Sequence, residues 1–250
     1  FQNLKKSFPT RHWVELLMSK EPWGEGVFKN KLGLTFRVVN YKNAHNVEVE
    51  FLVTGSRKIA AKKEIIRGEV KDDLHPHING VGFIGQGSYS SRHPAYKCWK
   101  SMLQRCYSQE ELERKPTYKN KSVCPEWHNF QNFASWFEIN CREGWELDKD
   151  LLVKGNTEYG PTTCCFVPTE VNSALIKFGG VYVDKRGYYI AQCRKGIDSK
   201  RFVRSFNSEA EANTAYLKEK HNHLLSLCEK YETEFSLELK QSLMEWVYGQ

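Results

Sequence analysis

From Asn46 to Val53 the apolar side chains Val47, Val49, Phe51 and Val53 alternate with mostly polar neighbours, the period of a half-buried strand. Leu34 to Asn40 is a second β run, and the turn-rich Asn43-Ala-His45 lies between the two. Thr54-Gly55-Ser56 ends the pairing signal, Ile59 to Ile66 predicts a third strand, and Gly68 to Gly87 is rich in turn residues. Leu34 to Val70 therefore predicts a small antiparallel sheet or barrel. A short amphipathic helix is expected ahead of it, where Trp13, Leu16 and Leu17 recur at helical spacing within Arg11 to Ser19.

Beyond residue 90 the period changes from two to nearly four. Pro94 to about Tyr107 sets Trp99, Met102, Leu103 and Cys106 on one face, and Pro94 suits a first helical turn. Pro116 to Glu126 reads as loop, and Phe130 to Asn140 as a helix with Phe130, Phe133, Ala134 and Phe137 inward. Asp148 to Pro168 reads as irregular, and Thr169 to Ile176 as a short helix. In the last third, Val181 to Val183, Tyr188 to Arg194 and Arg201 to Phe206 are short β runs separated by Asp184-Lys-Arg-Gly187 and Lys195-Gly-Ile-Asp198, both hairpin signals. Ser208-Glu-Ala-Glu211 has the form of a capping box and opens a helix to about Tyr231, and Phe235 to Val247 predicts a final one. The pattern gives an α+β fold with three modules: 1–80, an N-terminal helix and small antiparallel β module; 81–176, a central helical region; and 177–250, a three-stranded sheet packed on a long helix.

Charge sharpens this division. The 250 residues carry 37 Lys and Arg against 30 Asp and Glu, and Lys177 to Phe206 alone holds 8 basic and 2 acidic residues. A compact basic sheet between neutral neighbours is the pattern of a polyanion-binding module. No apolar run is long enough to span a bilayer and Phe1 to Arg11 has no signal-peptide core, so a cytoplasmic protein without a membrane partner is expected. No heptad indicates a homo-oligomer. The eight cysteines are too sparse for a disulfide scaffold and read as reduced thiols. Cys124 and His128, with Cys141 and Cys164 downstream, are conceivable zinc ligands, although zinc is disfavoured because isolated cysteines more often pack as small apolar residues.

Gly180-Val-Tyr182, Gly187-Tyr-Tyr-Ile-Ala-Gln192, Phe206 and Ser208 to Tyr216 together resemble an Apetala-type DNA-binding domain. The resemblance implies a sheet laid in the DNA major groove, with Lys185, Arg186, Tyr188, Gln192, Arg194, Arg201 and Arg204 as contacts. The chemistry agrees, since arginine pairs phosphate or guanine bidentately and rings stack on bases. In the N-terminal module, Arg57, Lys58, Lys62, Lys63 and Arg67 form a further positive stretch able to follow a phosphate backbone.

The central segment resembles phage-borne HNH and homing-endonuclease-like proteins. The matching residues are Tyr96-Lys-Cys-Trp99, Met102 to Tyr107, Val123-Cys-Pro-Glu-Trp127, Leu147-Asp-Lys-Asp150, Gly155-Asn156, Cys164 to Pro168 and Asn172. The resemblance implies a hairpin and helix around Mg2+ or Mn2+, with Asp148 and Asn172 as metal ligands and Asn156 near the central asparagine. It would put a general-base histidine where this chain has Lys149, and a protonated lysine cannot take a proton from water. His128 is the candidate to reach in instead. Two functions stay open: a DNA-binding protein of this phage type in a bacterial host cell, with possible metal-dependent nicking, or a catalytically inactive relative that binds structured RNA such as ribosomal RNA or the ribosome. DNA is favoured.

Overall fold

The computed structural model describes residues 26–175, 179–193 and 201–248, and the fold is α+β. The expected helix at Arg11 to Ser19 lies outside the described residues. Two compact units divide the chain: of the described residues, 26–77 and 83–87 belong to the first, and 78–82 and all those from 88 onward to the second.

The first unit is a four-stranded antiparallel sheet in the order β1 (Val27–Lys29), β2 (Thr35–Asn43), β3 (Asn46–Phe51), β4 (Arg57–Ala60). Ala44 and His45 make a tight β2–β3 turn, in which the Asn43 side chain accepts the His45 N–H at 2.9 Å. The alternation in β3 turns Val47, Val49 and Phe51 inward to join Phe36, Ala60, Ile65 and Val70 in one core. The strand expected from Ile59 to Ile66 stops at Ala60. Its partner β3 begins at Asn46, so the ladder ends at the Val47–Ala60 pair and later residues have no strand to bond. They form instead a short helix α1 (Lys62–Ile66), closed at its start by Glu64, which accepts the Ala61 N–H at 2.9 Å, and pinned by buried Ile65.

The second unit begins with α2 (Ala95–Tyr107) and α3 (Gln109–Arg114), followed by a turn of 3-10 helix at Pro116–Tyr118 and the short strand β5 (Ser122–Val123). Another such turn, Pro125–His128, leads into α4 (Phe130–Asn140), whose first turn is capped by Asn129 accepting from Gln131 N–H at 3.0 Å. Their shared core is aromatic. Trp99 donates its indole N–H to the Trp127 carbonyl at 2.6 Å and packs on Phe130 with centroids 5.2 Å apart; Trp127 packs on Trp136, and Trp136 stacks on Phe166. Gly82 meets this core without a side chain, since a Cβ there would collide with Leu103 Cδ1 and come within 3.0 Å of the Trp99 ring.

The segment expected to be irregular holds a hairpin instead. β6 (Trp145–Asp148) pairs antiparallel with β8 (Cys165–Pro168), while between them β7 (Glu158–Tyr159) runs parallel to β5. Helix α5 (Thr169–Leu175) follows at once. The C-terminal sheet has the order β11 (Phe202–Phe206), β10 (Tyr189–Cys193), β9 (Gly179–Val183), with α6 (Glu209–Lys230) packed across all three strands and α7 (Leu237–Tyr248) against α6. Ser208 caps α6 as its capping-box form predicts, its hydroxyl accepting from Glu211 N–H at 3.3 Å. One core joins Leu151, Val167, Val171 and Leu175 to Leu224, Leu227, Phe235, Leu239 and Leu243, so apolar packing continues across position 176.

Candidate nucleic-acid interface

β6, β8 and α5 form a hairpin followed by a helix, and four residues singled out from sequence lie on this unit. Asp148 ends β6 and turns the chain: one carboxylate oxygen accepts the N–H groups of Asp150 at 2.9 Å and Leu151 at 2.8 Å. Burial pushes its pKa up, against the downward pull of those two donors. Lys149 is buried, its ammonium ion-paired to the Asp150 carboxylate and 5.7 Å from the centre of the Tyr159 ring. Asn156 holds the hairpin loop closed by donating to the carbonyls of Lys149 at 2.8 Å and Glu158 at 2.6 Å. Asn172 donates to Glu146 at 2.5 Å. Glu146, which the sequence reading leaves out, also accepts from Thr169 at 3.3 Å and so clamps the start of α5 to β6.

This donor set does not fit Mg2+ or Mn2+, which take several oxygen ligands in near-octahedral order. One Asp148 oxygen is already shared by two backbone donors, the Asn172 amide is turned to Glu146, and the Lys149 ammonium acts on Asp148 as a competing cation. Among the described residues no three His, Cys, Asp or Glu side chains converge on a possible ion. His128 is committed elsewhere, with Nε2 at 3.1 Å from the Val123 carbonyl and 3.5 Å from the Tyr107 hydroxyl. Burial raises the thiols of Cys124, Cys141 and Cys164, the last to about 12.

The three-stranded sheet presents different chemistry. Successive side chains alternate across a strand, so Tyr189, Ala191 and Cys193 face one side of β10 and Ile190 and Gln192 the other. Ala191 and Cys193 are buried, and Cys193 acts electrostatically on Tyr216 of α6, which places their side against the helix. The other side is uncovered by α6. The register sets Tyr182 and Ser205 beside Ile190, and Val203 beside Gln192, on this outward face. Tyr182 is 51% exposed and Val203 50%.

The β9–β10 turn is rigidly built at one end of that face. Asp184 accepts the N–H groups of Arg186 at 2.9 Å and Tyr188 at 3.0 Å, and its own carbonyl accepts from Gly187 at 3.0 Å. Gly187 has φ +88°, a left-handed conformation that favours glycine. Lys185 and Arg186 are thereby exposed, the Arg186 guanidinium ion-paired to Asp184 at 3.2 Å and 5.7 Å from the centre of the Tyr188 ring, so a phosphate there shares Arg186 with Asp184. Arg201 is exposed just ahead of β11. Arg204 is exposed too, but it pairs with Ala191 and belongs to the helix-facing side, so it does not share a face with Gln192. Arg194 lies outside the described residues. Tyr182 takes the place beside Ile190 that sequence reasoning left empty; the hairpin register between the two β runs was the signal for it.

In the first unit two cations of the positive stretch are ion-paired. Arg57 bonds Glu50 at 3.1 Å and lies 4.0 Å from Glu48, and Lys58 pairs with Asp73 at 2.6 Å. Lys62 and Lys63 sit on α1 rather than along an extended strand. The four cations therefore do not form the continuous strand-borne row expected from the sequence. Among the described residues no helix is long and apolar enough to cross a membrane. No family model, curated protein or solved structure matches the chain.

Proposed function

We propose that the protein binds duplex nucleic acid, DNA in the first place, through the outward face and end turn of the β9–β11 sheet. The observation that carries this reading is the sheet face turned away from α6, where exposed Tyr182 and Val203 and half-buried Gln192 surround a buried Ile190, with Lys185, Arg186 and Tyr188 on a preorganised turn at its end. Three strands at about 4.8 Å spacing make a ribbon roughly 10 Å across, which suits a B-form major groove roughly 12 Å wide. The deep, narrow major groove of A-form RNA would not admit it. Cations at the end of the face reach phosphates, and the tyrosines and Gln192 meet base edges and thymine methyls.

Hydrolysis is not part of the proposal. Asp148, Lys149, Asn156 and Asn172 each make bonds that build the hairpin and fasten α5, and the likeness to HNH proteins then concerns a scaffold retained for binding. A phage origin and a cytoplasmic site in a bacterial host belong to the same reading.

Binding is tested by fluorescence anisotropy with labelled duplex DNA and duplex RNA over a series of salt concentrations. Tyr182→Ala should weaken DNA binding about tenfold, corresponding to roughly 1.4 kcal/mol. Arg186→Ala should reduce the salt slope by about one unit, as for one lost phosphate contact. Tighter binding of structured RNA than of DNA, unaffected by either change, would replace this reading with the RNA one. Supercoiled plasmid incubated with magnesium or manganese should stay intact; nicking abolished by Asp148→Ala would restore an active centre.

A further inference from the structure

The second unit holds a cleft of about 770 Å³ that the proposed sheet interface does not use. One wall is the side of α2 opposite its buried residues, where Lys97, Ser101, Gln104 and Arg105 recur at intervals that bring them onto a single helical face. α3 and the following turn supply a second wall, with Glu111, Arg114, Lys115 and Tyr118. The third is apolar for much of its extent, formed by Phe137, Trp145 and Phe166.

The charges in this cleft do not cancel. Its two carboxylates are already engaged: Glu111 binds Arg114 at 2.5 Å and Lys115 at 3.3 Å, and Glu146 accepts from Thr169 and Asn172. Arg105 is half-buried, its Nε–H donating to the Ser101 carbonyl at 3.3 Å and its guanidinium 5.7 Å from the centre of the Tyr159 ring. Among the described residues no carboxylate forms an ion pair with Arg105 or with Lys97. Besides the Ser101 carbonyl, the guanidinium has only the Tyr118 side chain as a hydrogen-bond partner among the described residues, and burial opposes its charge; a ligand oxyanion would add the counter-charge that these neutral partners lack. Arginine's planar fork matches two phosphate oxygens at once, and Lys97, two turns earlier on the same face, adds a mobile point charge.

We propose that this cleft binds a phosphate group carried by a nucleotide unit, with the phosphate on Arg105 and Lys97 and the less polar sugar and base toward Phe137 and Trp145. The site is separate from the sheet face and stands or falls independently of it. A phosphodiester within a nucleic-acid strand and the phosphate of a free nucleotide have the same chemistry here.

The test uses the full chain with three probes: a labelled single-stranded oligonucleotide, adenosine monophosphate and inorganic phosphate. The Arg105 Nε–H resonance, assigned by its loss in Arg105→Gln, should move with the oligonucleotide and with the mononucleotide, and less with inorganic phosphate. Lys97→Glu alters an exposed position and should leave the fold intact while weakening oligonucleotide binding about tenfold and lowering its salt slope by about one. A response to the mononucleotide without one to the oligonucleotide upholds the phosphate site and assigns it to free nucleotides. An Arg105 resonance unmoved by every probe, with Lys97→Glu binding like the parent, overturns the proposal. Oligonucleotide binding lost in Tyr182→Ala but not in Lys97→Glu, with the Arg105 resonance also unmoved by the mononucleotide, removes the cleft and leaves the sheet reading standing; loss in Lys97→Glu but not in Tyr182→Ala removes the sheet and leaves the cleft.

Discussion

At Asp148 a single carboxylate separates two accounts of the hairpin. A catalytic ligand must stay ionised and open to its ion, whereas this side chain is desolvated and spends one oxygen on the N–H groups of Asp150 and Leu151. Its folded pKa lies above the unfolded one, so the folded state holds the proton more tightly, and the stability gained from protonation is lost as pH rises through the folded pKa. An asparagine amide at this position would keep an oxygen for both backbone donors and never ionise. Asp148→Asn should therefore be more stable than the parent at pH 7, with the advantage fading as pH falls through the raised pKa; urea unfolding at both ends of that range measures it. A variant less stable at neutral pH would show that the ionised carboxylate is favoured by its surroundings. The residue pattern left Asp148 to Pro168 irregular, and only the resemblance to HNH proteins grouped Asp148, Lys149, Asn156 and Asn172 on a hairpin and helix; neither could show where their bonds go. Glu146 escaped notice because an exposed glutamate in a short strand carries no local signature, and its role exists only once α5 has docked.

Among the elements, those with a strong local period were the most legible. α2 and α4 have a continuous apolar face, whereas α6, whose buried side includes Lys220 and His223, is announced by the side-chain chemistry of Ser208. Ser208→Ala should cost about 1 kcal/mol of unfolding free energy, readable in thermal or denaturant melts, with Ser208→Asn close to the parent. The β6–β8 hairpin was hidden because Trp145 to Asp148 and Cys165 to Pro168 are four residues each, too short to establish alternation, and are joined by a long loop. The error at Ile59 to Ile66 has a different origin. Apolar residues there fit a strand well enough, but a strand needs a partner, and β3 had already ended. Likewise Arg204 reads as another outward cation until the register places it on the opposite side from Gln192.

Over the whole molecule, the eight cysteines are free thiols distributed through the second unit. Burial raises Cys98 and Cys164 to about 12 and Cys106 to about 11. At pH 8 these three should react with iodoacetamide at least ~100-fold more slowly than an unperturbed thiol, because only the thiolate attacks. Mass spectrometry of tryptic peptides, with and without urea, reads each site. Rapid labelling of the native protein at Cys98 or Cys164 would mean that their surroundings open far more often than the packing implies.

The order in which the chain visits its two units constrains how they can be separated. It leaves the first after residue 77, passes through the second from 78 to 82, returns for 83 to 87, and only then stays in the second. Modules strung end to end can be gained, lost or exchanged by a single join. Here a cut at Gly80 would take residues 83–87 away from the sheet unit, and a cut after residue 87 would remove Gly82 from the core against Trp99. A transplant of the N-terminal sheet must therefore carry two separate stretches of sequence, 26–77 and 83–87 among the described residues.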